Sequence, residues 1–133
     1  MPVRCLIVDD NDHFLRVAGR VLDRGGISVV GVSSGLDAMA RFDELDPDVA
    51  LVDVDLGEYD GFELVERLTR AARLRPPCLI LISARPGSDV ADLVEQSPAV
   101  AFVAKSDLCA ELILSIVRGA NGHGCPVADR DPA

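Results

Sequence analysis

Four short, nearly continuous apolar runs recur along the chain: Cys5-Leu6-Ile7-Val8, Val49-Ala50-Leu51-Val52, Leu79-Ile80-Leu81-Ile82 and Val100-Ala101-Phe102-Val103. An antiparallel strand wetted on one face alternates apolar and polar residues. Runs without that alternation suit parallel strands covered on both faces. A fifth run, Ile27–Val32, is diluted by Ser28 and Gly31, as an edge strand can be. Between the runs the apolar spacing changes to steps of three and four. Phe14, Val17, Ala18, Val21 and Leu22 predict a helix that Gly25-Gly26 stops. A second helix is predicted over residues 35–44, before Pro47. A third carries Phe62, Val65, Leu68 and Ala72 and ends before Pro76-Pro77. A short fourth spans 89–96, bounded by Pro98. The last carries Leu108, Leu112, Ile116 and Val117, with Asp107 as its N-cap and Gly119 beyond its end.

Five strand–helix units with right-handed crossovers predict an open, doubly wound α/β sheet. Its 133 residues, 49% hydrophobic and 26% charged, suffice for one buried core without a disulfide or metal staple. No apolar run is long enough to span a bilayer, and the N-terminus runs straight into the first strand, leaving no room for a signal peptide. Cys5, Cys78, Cys109 and Cys125 lack C-x-x-C spacing and read as free thiols in a reducing cytoplasm. A net charge of −9 argues against direct binding of nucleic acid by this chain. Gly119 onward is rich in Gly, Pro and Asp, so the sequence divides into a domain over 1–118 and a tail or linker over 119–133.

Ligands of such sheets bind beyond the carboxyl ends of the strands. The polar residues there are Asp9 and Asp10 after the first run, Asp53 closing the third, Ser83 closing the fourth, and Lys105, the single lysine, after the fifth. Carboxylates converging on one crevice repel each other. At about 4 Å and an effective dielectric near 20 each pair costs roughly 4 kcal/mol before relaxation. The site therefore calls for a cation, and hard oxygen ligands suit Mg²⁺. A lysine and a hydroxyl beside them could contact the oxygens of a transferred phosphoryl group, with an Asp as the accepting nucleophile. Singly, each residue has a plainer reading: a loop Asp, a backbone-satisfied Ser, a solvated Lys. Five of them at four strand ends favour the functional one.

These residues resemble the receiver domain of two-component response regulators over about 3–118. The resemblance is carried by Leu6-Ile7-Val8-Asp9-Asp10, Asp48-Val49-Ala50-Leu51-Val52-Asp53, Asp60-Gly61-Phe62-Glu63-Leu64, Ile82-Ser83-Ala84 and Phe102-Val103-Ala104-Lys105. It implies a flavodoxin-like (βα)5 fold with strand order 2-1-3-4-5. It implies that Asp53 accepts a phosphoryl group from a sensor histidine kinase. Asp10 and Asp53 would bind Mg²⁺ directly, helped by the backbone carbonyl of Asp55, with Asp9 acting mainly through a water. Ser83 and Lys105 would contact the phosphoryl oxygens. Phe102 matches the family's switch aromatic, which moves inward as the hydroxyl of Ser83 swings toward the phosphoryl group. The resemblance also makes homodimerisation on phosphorylation an expectation. The stretch from Phe102 to Leu108 looks like receivers that precede helix-turn-helix output domains, which would make the role transcription regulation. His13, Arg67, Arg70, Arg73 and Arg75 read as solvated helix positions.

Three departures stand out. Gly57 occupies a position where the family usually has Pro. Ser106 follows Lys105 where Pro, preceded by a cis bond, is common; a non-proline cis bond costs about 2.5–4 kcal/mol. Asp55 and Arg85, two residues beyond Asp53 and Ser83, hold positions that in this family tune the lifetime of the phosphoryl group, and an Asp55–Arg85 pair across the site mouth would hinder the attacking water. Two rival readings stay open. A haloacid-dehalogenase-type phosphatase would use Asp53, Asp55, Ser83 and Lys105, but its later acidic pair is missing at the end of any further apolar strand. A receiver-like interaction module independent of phosphate is the other.

Overall fold

A computed structural model describes residues 3–56, 59–71, 78–84, 95 and 97–123. The five apolar runs form one parallel sheet of β1 (Val3–Val8), β2 (Ile27–Val32), β3 (Val49–Asp53), β4 (Cys78–Ser83) and β5 (Ala101–Ala104), in the order β2-β1-β3-β4-β5. Four described helices accompany it: α1 (Asp12–Arg24), α2 (Gly35–Leu45), α3 (Gly61–Ala71) and α4 (Ala110–His123). This is the predicted doubly wound, flavodoxin-like arrangement, with the diluted run at one edge.

Every residue of β3 and β4 is buried, as expected of interior strands covered on both faces. The pleat divides their side chains between two cores. Leu6, Val8, Ala50, Val52, Leu79 and Leu81 pack with Phe42 of α2 and Leu64, Val65 and Leu68 of α3. Cys5, Ile7, Val49, Leu51, Ile80 and Ile82 pack with Ala18 and Leu22 of α1 and Ile113 and Val117 of α4. Each fully buried Leu or Ile contributes about 1.5–3 kcal/mol over leaving it in water.

Helix ends follow local chemistry. Asn11 caps α1, its Oδ1 accepting from the Phe14 N–H at 3.1 Å, and Ser34 Oγ accepts from the Asp37 N–H at 3.1 Å to start α2. Gly26 takes φ +91° after α1, which a side chain rarely adopts. The end of α2 is Asp46, at φ 47°, the short polar side chain tolerating the left-handed region.

Two expectations at the last helix are corrected. Asp107 does not cap it: Lys105–Asp107 forms a 3₁₀ turn of its own, and α4 begins at Ala110. Gly119 does not end it either, because α4 continues to His123. A glycine in helical conformation costs only about 1 kcal/mol relative to Ala, and it stops a helix only by turning left-handed. A feature not foreseen is an antiparallel ribbon directly after β3, pairing Asp55 with Asp60 and Leu56 with Tyr59. Of the helix predicted over 89–96 only Glu95 is among the described residues. Ala72, Arg73, Arg75, Pro76 and Pro77 also lie outside them. Among the described residues no helix is long and apolar enough to cross a membrane.

Candidate functional site

Strand register brings the predicted polar residues together. Val8 of β1 lies opposite Val52 of β3, so Asp9 is level with Asp53. Asp53 lies opposite Ile82, so Ser83 stands one position beyond it, and Ser83 lies opposite Ala104, which Lys105 follows. Asp9 and Asp53 share the pleat parity of Ile7 and Leu51, on the α1/α4 side of the sheet. Asp9 is fully buried and Asp53 is 5% exposed, while Asp10 is exposed at the rim.

One carboxylate oxygen from each of Asp9, Asp10 and Asp53 falls within a 4.8 Å group. Lys105 Nζ enters the same crevice, 2.6 Å from Asp9 Oδ2 and 3.2 Å from Asp53 Oδ2. The remaining oxygens are held by backbone: the Asn11 N–H donates to Asp9 Oδ1 at 2.9 Å, and the Asp55 N–H donates to Asp53 Oδ1 at 3.1 Å. Asp9 Oδ2 is buried with no well-aligned hydrogen-bond donor, although the ammonium is beside it.

Burial pushes the Asp53 carboxyl above its ordinary range, and the charge of Asp9 adds to this. The Asp55 N–H and Lys105 oppose it without cancelling it. For Lys105 burial acts downward, but the close contact and charge of Asp9 together with Asp53 outweigh it, and the net shift is upward. With three carboxylates gathered around one ammonium, the crevice holds more negative charge than Lys105 neutralises. The donor set is all oxygen, the ligand atoms are already gathered, and Asp9 keeps an oxygen poorly satisfied. These residues fit a hard divalent cation.

Gly61 opens α3 directly against this strand end. A Cβ there would stand 2.2 Å from the Asp53 carbonyl oxygen and 2.7 Å from the Val54 Cα. The Gly61 N–H donates to the Val54 carbonyl at 3.2 Å. The glycine is thus what lets the helix start tight against the backbone that presents Asp53.

Ser83 is buried at the end of β4 and shares the pleat parity of Leu79 and Leu81, on the α2/α3 side. Phe102 is half-buried against that same core, opposite Leu81. Asp55 is exposed, in the ribbon after β3. Gly57 and Arg85 lie outside the described residues, and with Arg85 the Asp55–Arg85 pair. Ser106 is exposed in the 3₁₀ turn, and among the described residues no peptide bond is cis, that before Ser106 included. His13, Arg67 and Arg70 are exposed, and Arg67 pairs with Glu63 one helical turn away at 3.1 Å. Sequence reasoning missed Asn11, whose backbone holds Asp9, and Phe14, whose ring lies under the Lys105 ammonium with its centroid 4.5 Å from Nζ. The Asn-x-x-Phe spacing at the head of a helix was a signal for the cap alone.

The profile of the response regulator receiver domain matches residues 5–117. The chain is 36% identical over 106 residues to protein-glutamate methylesterase/protein-glutamine glutaminase 5 of Myxococcus xanthus (strain DK1622), a match covering 78% of this chain and 30% of that protein. It thus spans about a third of the length of that relative. Its fold superposes on a response regulator receiver domain protein (CheY-like) from Methanospirillum hungatei JF-1 with TM-score 0.76 and 23% identity, covering 92% and 96% of the two chains. A response regulator protein from Burkholderia pseudomallei, determined with a phosphorylated aspartic acid, calcium ion and citrate, gives TM-score 0.76 at 21% identity, covering 90% of this chain and 69% of that one.

Proposed function

The chain belongs to the response regulator receiver domain family, and from that premise we propose that it is a two-component signalling switch with Asp53 as its phosphoacceptor. The donor is a sensor histidine kinase. A carboxylate oxygen of Asp53 attacks the phosphorus of the kinase's phosphohistidine, the P–N bond breaks, the imidazole leaves, and an acyl phosphate remains on Asp53. The observation that carries this reading is the burial of Asp53 within one crevice with Asp9, Asp10 and Lys105. The phosphorylated aspartic acid and calcium ion in the Burkholderia pseudomallei protein support it by fold-level likeness.

Asp9, Asp10 and Asp53, with the backbone carbonyl of Asp55, would hold Mg²⁺, which supplies neutralising charge when bound. The residues do the rest. Lys105 aims a point charge at the phosphoryl oxygens, and Ser83 crosses from its buried position to offer a hydroxyl. A phosphoryl group carrying about −1.5 to −2 charge favours only the arrangement in which both contacts form. Phe102 moves with Ser83, and the face around β4 and β5 changes for an output partner, an attached output domain or a second copy of the chain. Asp55 and Arg85 set how long the acyl phosphate survives.

In this reading the receiver unit reaches about residue 118, and the stretch from 119 on is a tail or the start of a linker, with α4 running into it as far as His123. The switch works in the cytoplasm and regulates transcription through its output. Beyond its own phosphorylation and dephosphorylation it has no enzymatic activity, and the methylesterase activity named for its relative belongs to that whole protein. Phosphorylation by a small phosphodonor with Mg²⁺, lost in Asp53→Asn, tests the assignment.

A further inference from the structure

The first turn of α1 is tied to the acidic crevice at two points. Asn11 donates its N–H to Asp9 Oδ1 at 2.9 Å and accepts the Phe14 N–H on its own Oδ1 at 3.1 Å. One turn of backbone thus links Asp9 to Phe14. The Phe14 ring lies with its centroid 4.5 Å from Lys105 Nζ, and it is half-buried against the core between α1 and α4. Packing therefore fixes the ring, and the ring faces Lys105, the one basic group that the described residues bring into the crevice.

We propose that Phe14 is a positioning residue for Lys105, its ring being the wall that keeps the ammonium in the crevice once Asp9 and Asp53 have other partners. The inference rests on the phosphoacceptor reading above. In the structure the ammonium is held by two carboxylates, at 2.6 and 3.2 Å. A divalent cation at those carboxylates competes for both and repels the ammonium. A lysine has a flexible four-carbon stem and many alternative rotamers, so it would leave for solvent. The attraction of the ring face for a cation is electrostatic and survives that competition, because the ring is not a ligand the metal takes. Lys105 then remains beside Asp53, where the incoming phosphoryl oxygens need it.

The test compares the full chain with Phe14→Leu and Phe14→Tyr. With saturating Mg²⁺ and acetyl phosphate, Phe14→Leu should lower the maximal rate of phosphorylation about fivefold, the factor expected for a cation–ring contact of ordinary strength. Phe14→Tyr, which keeps a ring, should stay within about twofold of the parent. Affinity for Mg²⁺, titrated without phosphodonor, should be the same in all three, which a general loosening of the crevice would not give. A second readout needs no chemistry. Lys105 is the single lysine, so ¹³C-lysine labelling gives one set of ε-methylene signals. Ring current should move their protons upfield in the parent and in Phe14→Tyr, with Mg²⁺ bound, and the shift should vanish in Phe14→Leu. An unshifted parent signal with Mg²⁺ bound, or a Phe14→Leu rate equal to the parent's, overturns the proposal. If Phe14→Leu fails to fold, the shift in the Mg²⁺-loaded parent decides alone. If the parent takes no phosphoryl group from acetyl phosphate or from a phosphorylated histidine kinase while Lys105 is shifted, the phosphoacceptor reading falls and the positioning of Lys105 by Phe14 stands.

Discussion

The Lys105 ammonium passes the ends of β4 and β3 to sit 2.6 Å from Asp9 Oδ2 at the end of β1. One side chain from the edge of the sheet thereby reaches the acidic group near its middle. It leaves Asp53 with a longer contact, 3.2 Å, and the crevice with surplus negative charge.

That surplus predicts a stability effect opposite in sign to most buried substitutions. Burial and Asp9 disfavour the charged form of Asp53, so Asp53→Asn relieves repulsion in the folded state. In chelator at neutral pH it should raise stability by about 1 kcal/mol, or roughly 3–5 °C in Tm for a domain between the 100- and 150-residue sizes. Mg²⁺ should stabilise the parent, since it binds the folded site, and should stabilise Asp53→Asn much less. Thermal unfolding with and without Mg²⁺ reads both effects. A variant less stable than the parent in chelator contradicts the repulsion argument.

Gly61→Ala should damage both fold and site. The new Cβ would meet the backbone of Asp53 and Val54, which cannot rotate away as a side chain can. We expect a loss of about 1–3 kcal/mol by urea denaturation, and slower phosphorylation because the strand end carrying Asp53 must shift. Gly61→Ala with unchanged stability and rate would show that α3 can start elsewhere without consequence.

The buried thiols give a pH prediction. Burial pushes Cys78 up to about 12 from its ordinary value near 9, and pushes Cys5 up further, with Cys78 adding to the effect. Folded thiols thus keep their protons at pH values where unfolded ones lose them. The unfolded state then binds fewer protons, so stability is intact below about pH 9 and falls as pH rises toward 12. Each thiol adds a slope of about 1.4 kcal/mol per pH unit. Cys78→Ala should flatten the alkaline limb, whatever its effect on absolute stability. In the native protein near pH 8, iodoacetamide should modify exposed Cys109 long before Cys5 or Cys78, as peptide masses would report. Equal alkylation of all three would contradict their burial.

The sheet was legible because β1, β3 and β4 need apolar residues on both faces, and runs such as Leu79-Ile80-Leu81-Ile82 have no other good use in a chain of this charge. Asp9, Asp10, Asp53, Ser83 and Lys105 were legible because strand ends converge in such a sheet, so position along the chain stands in for position in space. What could not be read depends on geometry that composition does not encode. Phe14 sits in an ordinary helical period, and nothing in its neighbours predicts a lysine at the end of another strand. Asn11 went unread: its side chain caps α1, but its backbone N–H is what reaches Asp9, and no residue type encodes that contact. The ribbon after Asp53 is two residues a side, too short to leave a pattern. Gly119 and Asp107 misled because each residue type is permissive: a glycine may stay helical, and an aspartate may sit in a 3₁₀ turn before the helix it was expected to cap.

Asp53 as phosphoacceptor is tested most directly by intact mass after incubation with Mg²⁺ and acetyl phosphate, run beside Asp53→Asn. One added phosphoryl group is expected, about 80 Da by the covalent chemistry of an acyl phosphate, absent in the variant and absent when Mg²⁺ is chelated. An adduct that persists in Asp53→Asn, or a parent that stays unmodified with both acetyl phosphate and a phosphorylated histidine kinase, would contradict it.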